Sequence, residues 1–337
     1  MLLGVVAGLL MLTSIAFALL ALGLRLRHDI RGRRSERMTK SWEPAMLEIL
    51  GGAAPPQALF ERVREGQGAH FLAFLMTYVR RLRGEELTLV RSMADPYLPD
   101  LVPMVREGSA EARGQAVMLL ARLGMPKYAD VVAGALRDPS PVVAMVAARS
   151  LFLPEQERHF AEVLAHLPRF ARWSRSFLAG MLAGGGRAAA GRLRAILDDR
   201  EQSPEVRAVA ADALRAMNDL DSVDVATHLL EVETEREVIA SCLRILKHLG
   251  HAEHAPVARR LAASLDPVVR AVAVSALGAL GGHQDTALLT EKLDDPSFWV
   301  SLEAARGLLA LGEVGTLRRL AASEGPWSTL SRQVLGE

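Results

Sequence analysis

One leucine recurs through most of this chain at intervals of 31 or 32 residues. The series is Leu120, Leu151, Leu182, Leu214, Leu246, Leu277 and Leu308, and Leu89 stands at an equal interval before it. Four residues ahead of the seven leucines stand Ala116, Ala147, Leu178, Ala210, Cys242, Ala273 and Ala304. Eight residues ahead stand Ala112, Val143, Ser174, Val206, Val238, Val269 and Val300. Three positions spaced by four share one face of a helix, so each interval holds a helix with an apolar stripe. Gly124, Gly250, Gly281 and Gly312 follow the leucines and mark helix ends. Asp138-Pro139, Ser203-Pro204, Asp266-Pro267 and Asp295-Pro296 mark helix starts. The rest of each interval carries a second apolar helix, at 128–137, 157–167, 188–198, 223–231, 255–264, 285–293 and 314–322. A helix–turn–helix unit of this size cannot bury its own apolar face and must stack on copies of itself. Ala, Leu and Arg dominate the composition and enter helices at low cost, while few segments alternate with a period of two. The expected fold class is all-α.

Segments such as DPVVRAVAVSALGALG (266–281), SPEVRAVAADALRAMND (203–219) and SAEARGQAVMLLARLG (109–124) resemble HEAT repeats, in particular the short bacterial class also called PBS-lyase HEAT-like. The resemblance covers roughly residues 97–322 and implies a HEAT-like α-solenoid of about seven to eight helical-hairpin repeats. The unit around 157–186 departs from the pattern, with Ser174 in the valine slot and Gly180, Gly184, Gly185 and Gly186 clustered. The arginine that follows the valine in this family stands here as Arg113, Arg175, Arg207 and Arg270, and the resemblance implies a structural role for it. Residues 41–96 are less regular. They are expected to form an N-terminal helical cap, with helices up to Leu50 and over 56–66, 69–83 and 85–94, and Trp327 is expected to close the other end.

Residues 2–24 are uncharged and apolar, long enough as a helix to cross a ~30 Å hydrocarbon core. They are read as a single transmembrane helix preceding the solenoid, not as a cleaved signal, because no basic residue precedes the run and a block of arginines follows it. That block comprises Arg25, Arg27, Arg31, Arg33 and Arg34, in a basic juxtamembrane segment spanning 25–40. The positive-inside rule then places the N-terminus outside and the solenoid, 97–337, in the cytoplasm, on an inner (cytoplasmic) membrane. Gly4 and Gly8 have the spacing of a helix–helix contact. Residues 1–40 hold seven basic and two acidic residues, which leaves 33 basic against 37 acidic for 41–337, a charge of about −4. An acidic solenoid argues against nucleic acid as a general partner.

Chemistry is sparse. The cluster His248, His251, Glu253 and His254 is interrupted by Gly250, and His283 repeats the position of His251 in the next loop, so no metal site is assigned. Gly184-Gly185-Gly186-Arg187 is read as a loop between helices and not as a phosphate cradle. The resemblance includes an enzyme, deoxyhypusine hydroxylase, that holds two irons on adjacent His-Glu pairs; this chain contains no such dipeptide. No Walker A, GxSxG or HExxH pattern occurs. No catalytic residue and no cofactor is assigned. The side of the second helices away from the apolar stripe instead mixes interface-forming residue types: Trp173, Trp299, Leu302, Leu309 and Phe152 with Arg149, Arg244 and Arg306. The expected function is a non-enzymatic, membrane-tethered scaffold that presents its groove to a protein partner, a membrane enzyme or secretion complex being one candidate. The alternatives are an enzyme or accessory subunit of the HEAT-like lyase type, and nucleic-acid binding.

Overall fold

The computed structural model describes residues 38–325 and 327–336, and these residues are helical without strands. They fall into two compact units, divided between Val131 and Val132. In the first, α1 (38–50), α2 (Gln57–Phe60), α3 (Gly68–Val79), α4 (Gly84–Ala94), α5 (Leu101–Glu107) and α6 (Ala110–Leu123) surround an aromatic core. Trp42 is buried there, its ring 5.5 Å from Phe71 and 5.6 Å from Phe74, and its indole N–H donates to the Arg62 carbonyl. The helix expected over 56–66 is only α2, because the chain turns before Gly66, whose φ of +77° lies in the left-handed region. Leu89 is only half-buried, whereas Val90 and Met93 fill the core, so the leucine series starts at Leu120.

Helix α7 (Ala129–Gly134) crosses the division. The second unit continues with α8 (Pro141–Leu151), α9 (Phe160–Ala165), α10 (Arg175–Ala183), α11 (Gly186–Asp198), α12 (Pro204–Ala216), α13 (Ser222–Val232) and α14 (Arg236–Leu249). It ends with α15 (Ala255–Leu261), α16 (Pro267–Leu280), α17 (Thr286–Glu291), α18 (Phe298–Ala310), α19 (Val314–Ala322) and α20 (Ser328–Gly336). The even-numbered helices from α6 to α18 carry the leucine series, and all seven leucines are 0% exposed. Ala147, Ala210, Cys242, Ala273 and Ala304 are equally buried four residues earlier. The starts use two devices. Ser203 and Asp266 accept bonds from amides of the first turn of α12 and α16. Asp138 and Asp295 instead accept from the amide two residues on, forming the turn that leads into α8 and α18. Helices α16 and α18 approach closely: a Cβ on Gly278 would lie 2.6 Å from the Gly307 Cα.

Arginines lace successive repeats. On the second helices, Arg207 donates to the Leu197 carbonyl (2.9 Å) and pairs with Glu233 (2.6 Å). Arg270 forks onto Asp295 (2.8 and 3.0 Å) and caps the Ser264 carbonyl. On the first helices, Arg194 pairs with Asp219 and Asp221, and Arg259 with Asp285. In each case the acidic partner lies in the loop that opens a helix of the next repeat. Arg270 holds Asp295 below the usual carboxylate range. Burial alone would raise Asp285 and Glu233. The Arg259 guanidinium and the Gly282 amide outweigh it at Asp285; the amides of Glu235 and Thr234, with Arg207, outweigh it at Glu233; both end below the ordinary range. Carboxylates lowered in the folded state stabilise it above their unfolded pKa and lose that contribution as pH falls through the folded value. The denaturant midpoint is therefore expected to be flat at neutral pH and to fall below about pH 4. A midpoint unchanged from pH 6 to pH 3 would show that these pairs contribute nothing.

The expected transmembrane helix, together with Gly4, Gly8 and the basic residues Arg25, Arg27, Arg31, Arg33 and Arg34, lies outside the described residues. Among the described residues no helix is long and apolar enough to cross a membrane. Helices α6, α14 and α16 have 14 residues, about 21 Å, against the ~30 Å of a hydrocarbon core. The assignment to an inner membrane as a single-pass protein is corrected accordingly: the structure gives it no support.

Candidate functional site

The second helices of an array pack against their own first helix and against second helices on both sides, so only a narrow strip of each stays open. On α16 and α18 that strip holds the positions nine, five and two residues before the leucine: Val268, Val272 and Ser275, then Trp299, Glu303 and Arg306. With Arg215 of α12 and Arg244, Lys247 and His248 of α14, all of these but Arg306 line an open cavity of ≈ 650 Å³ running across four consecutive second helices.

One end of the groove is apolar. Trp299 is 66% exposed and stands beside Phe298, itself exposed, with ring centroids 5.8 Å apart. Exposed Val268 and half-buried Val272 continue the surface onto α16. The middle is a neutralised chain: Lys247 Nζ donates to Ser275 Oγ (2.6 Å), Ser275 donates to Glu303, and Glu303 takes Arg306 at 2.9 Å. The other end is cationic. Arg175, at the start of α10, pairs with one oxygen each of Asp212 (3.0 Å) and Glu237 (2.7 Å), and the other Asp212 oxygen is buried without a hydrogen bond. The Arg175 hydrogen bond holds Glu237 below the ordinary range against the opposing effect of burial. Arg215 is left 3.9 Å from Asp212, with a buried Nε that has no hydrogen-bond partner. Arg244 makes only a long bond to Ser241 Oγ, 3.4 Å. Burial lowers its proton affinity below the usual arginine value; Asp212 opposes this and Arg175 adds to it. It remains a cation.

A second cavity of ≈ 480 Å³ lies at the starts of α10, α12 and α14, between Leu167, Trp173, Leu178, Val206 and Val209. Trp173 stacks on Phe177 at 5.2 Å. This is the irregular repeat. Gly185 presses against the Phe152 ring, leaving no room for a Cβ, and Gly186 turns the chain with φ +56°. The glycine cluster thus closes a tight connection over Phe152.

Of the residues expected on the partner surface, the structure brings Arg244 and Trp299 into one cavity and puts Trp173 in the other. Arg149 is exposed on α8 and belongs to neither. Arg306 and Leu309 are half-buried, Arg306 behind Glu303. Two expectations are corrected. Phe152 is 0% exposed and stacks on Phe160 at 4.4 Å, and Leu302 is 4% exposed. Phe152, just past the end of α8, is covered by Phe160 and the Gly185 connection, and Leu302 is buried on α18. Lys247, Val268, Val272 and Glu303 were missed as groove residues, although the spacing that placed Trp299 also reaches Val268. Among the described residues no group of three or more His, Cys, Asp or Glu is arranged to hold a metal ion. His248 meets Asn218 and His254 turns back onto its own loop. Cys242 is buried, and desolvation pushes its thiol up to about 12.

Residues 229–310 match the family of HEAT repeats. No curated protein matches the chain. Solved structures with a related course include human deoxyhypusine hydroxylase in complex with glycerol, 17% identical over 83% of this chain and 98% of that one, with a TM-score of 0.32. An engineered protein is 18% identical over 90% and 95%, TM-score 0.36. The complex of CpcE and CpcF of phycocyanin lyase from Nostoc is 16% identical over 84% and 93%, TM-score 0.29. The chain is HEAT-like, and similarity this low carries nothing about its chemistry. The reading of the chain as a non-enzyme is withdrawn as unsupported, since the structures of similar course include human deoxyhypusine hydroxylase and phycocyanin lyase.

Proposed function

We propose that the second unit is a docking platform, and that the groove across α12, α14, α16 and α18 receives a segment of a partner protein. The observation that carries this is the pairing of Trp299, two-thirds exposed at one end, with the underpaired guanidinium of Arg244 at the other. Exposed tryptophan and arginine are the residue types most enriched among interface hot spots. A monomer gains little from holding either in water on a strip that all its neighbours leave open.

The test is selection of binders from a random peptide display library on the full chain, held in non-ionic detergent because residues 2–24 are apolar. Selected peptides are expected to lose on the order of 30-fold in affinity on Trp299→Ala, the loss typical of a central hot spot. They should bind Glu231→Ala, an exposed change on α13, unchanged. Peptides that bind the Trp299 variant as tightly as the parent would move docking away from this groove. Circular dichroism guards the result: an exposed tryptophan contributes little to stability, so helicity should be retained.

A further inference from the structure

We infer that the groove selects an acidic segment, an extended peptide whose carboxylates sit on Arg215 and Arg244 while an apolar side chain beside them packs on Val268, Val272 and Trp299. This rests on the docking role proposed above and specifies the partner's chemistry.

Charge complementarity carries the inference. Three cations, Arg215, Arg244 and Lys247, line the cavity against one carboxylate, Glu303. Residues 41–337 as a whole carry about −4, so this is a local reversal of sign and not a sample of the general surface. The cations also differ in how they are satisfied. Lys247 donates to Ser275, whose hydroxyl in turn donates to Glu303, so Lys247 is linked to the one carboxylate of the cavity. Arg215 and Arg244 are not spent. One has a buried Nε without an acceptor, and the other is half-buried with a single long bond to a hydroxyl. Each guanidinium presents five N–H donors in a planar fork. Arg175 holds one oxygen each of Asp212 and Glu237. The other Asp212 oxygen has no hydrogen bond and lies 3.9 Å from Arg215 Nε, so Asp212 faces Arg215 without filling its fork. A partly desolvated guanidinium with open donors next to another is matched by a carboxylate, which accepts two parallel bonds.

The shape agrees with an extended chain. Neighbouring helices lie about 8–10 Å apart, so the three steps from α12 to α18 span about 24–30 Å. An extended chain covers that in about eight residues at ~3.3 Å each. The apolar end offers one shallow surface and a single indole, enough for one anchor residue and too little for a row of stacked bases.

The probe is a fluorescein-labelled octapeptide of four glutamates, one phenylalanine and glycines, titrated into the full chain in detergent and followed by anisotropy. A matched peptide with glutamine for every glutamate is the comparison. Binding of the glutamate peptide at least about 10-fold tighter than the glutamine peptide is expected, with the difference shrinking in 0.5 M salt. Arg244→Ala and Arg215→Ala should each remove most of the difference, while Trp299→Ala weakens both peptides alike. Arg244→Ala leaves no carboxylate unpaired, so it keeps the test valid where Arg215→Ala disturbs Asp212. Equal binding of the two peptides, both lost on Trp299→Ala, would overturn the acidic specificity and leave the docking groove standing. Display-selected binders without acidic residues would do the same. A single-stranded oligonucleotide that displaces the glutamate peptide from the groove at lower concentration than the unlabelled peptide would overturn the assignment to a protein segment.

Discussion

Replacing Arg207 by alanine is expected to destabilise the second unit by about 3–5 kcal/mol, the cost of removing one partner from a buried ion pair. The side chains of Arg207 and Glu233 are 3% and 5% exposed, and the bond between them is 2.6 Å. Without the guanidinium, Glu233 stays buried with only the amides of Thr234 and Glu235 as donors, and the Leu197 carbonyl loses its partner. Burial at Glu233 is then opposed by the two amides alone, so its pKa rises from the value it has in the parent. The sign of the pH dependence follows. A variant whose folded pKa lies above the parent's is most destabilised relative to it at neutral pH and is relieved by protonation. The deficit of the variant against the parent should therefore be largest near pH 7 and narrow as pH falls toward 4. Chemical denaturation of the full chain at both pH values, with hydrogen exchange to locate the loss, provides the measurement. Loosening should centre on α12 and α14, since each repeat touches its neighbours. A pH-independent deficit would mean that Arg207 acts through packing and its bond to Leu197, and that the charge of Glu233 is immaterial. The double variant Arg207→Met with Glu233→Gln should recover much of the loss by removing both charges from the interior.

The leucine series, the small residues ahead of it and the caps at Ser203 and Asp266 were legible in the sequence because each depends on neighbours within one helical hairpin. What joins one repeat to the next was not. Arg175, Arg207 and Arg270 stand in the same slot, yet Arg207 and Arg270 hold the loop of the next repeat whereas Arg175 pairs with Asp212 on α12 and Glu237 on α14. Those partners lie from 25 to 62 residues away, and no periodicity reports them. The same limit explains Leu302. A helical wheel separates an apolar stripe from its opposite side, at ~100° per residue, but cannot say how much of that opposite side a neighbouring second helix covers. The groove proved narrower than half a helix, and its polar end depends on a fault in the repeat at α10. The aromatic core of the first unit was not legible, because the contacts of Trp42 with Phe71 and Phe74 join separate helices.

Substituting Ala273 by arginine is expected to be the most damaging single change in the second unit, at roughly 4–5 kcal/mol or more. Ala273 is 0% exposed in the middle of α16, four residues before Leu277. Its α16 packs α14 on one side and α18 on the other. The approach of Gly278 to Gly307 shows how little space separates α16 from α18. Arginine adds a long side chain to a packed interface and a charge that no buried carboxylate nearby is free to meet, since Asp285 and Asp295 are already held by Arg259 and Arg270. Overpacking and charge burial act together, beyond the range of an ordinary point change. Cys242, on α14 and the only cysteine in the chain, gives a local readout. In the parent its thiol is buried and pushed up to about 12, so it should resist an aromatic disulfide reagent until the unit unfolds. In the variant the thiol should react within the dead time of mixing or nearly so, with loss of hydrogen-exchange protection across α14, α16 and α18. Protection in α1–α6 of the first unit should persist, because disruption in a repeat array spreads through neighbours before it reaches distant units. Ala273→Gly separates the causes. It removes a methyl without adding bulk or charge, and its cost should stay near the ~1 kcal/mol of a helix-interior glycine. If Ala273→Arg were to leave Cys242 unreactive, the small residues ahead of the leucines would not be core positions, and the register on which the groove rests would have to shift with them.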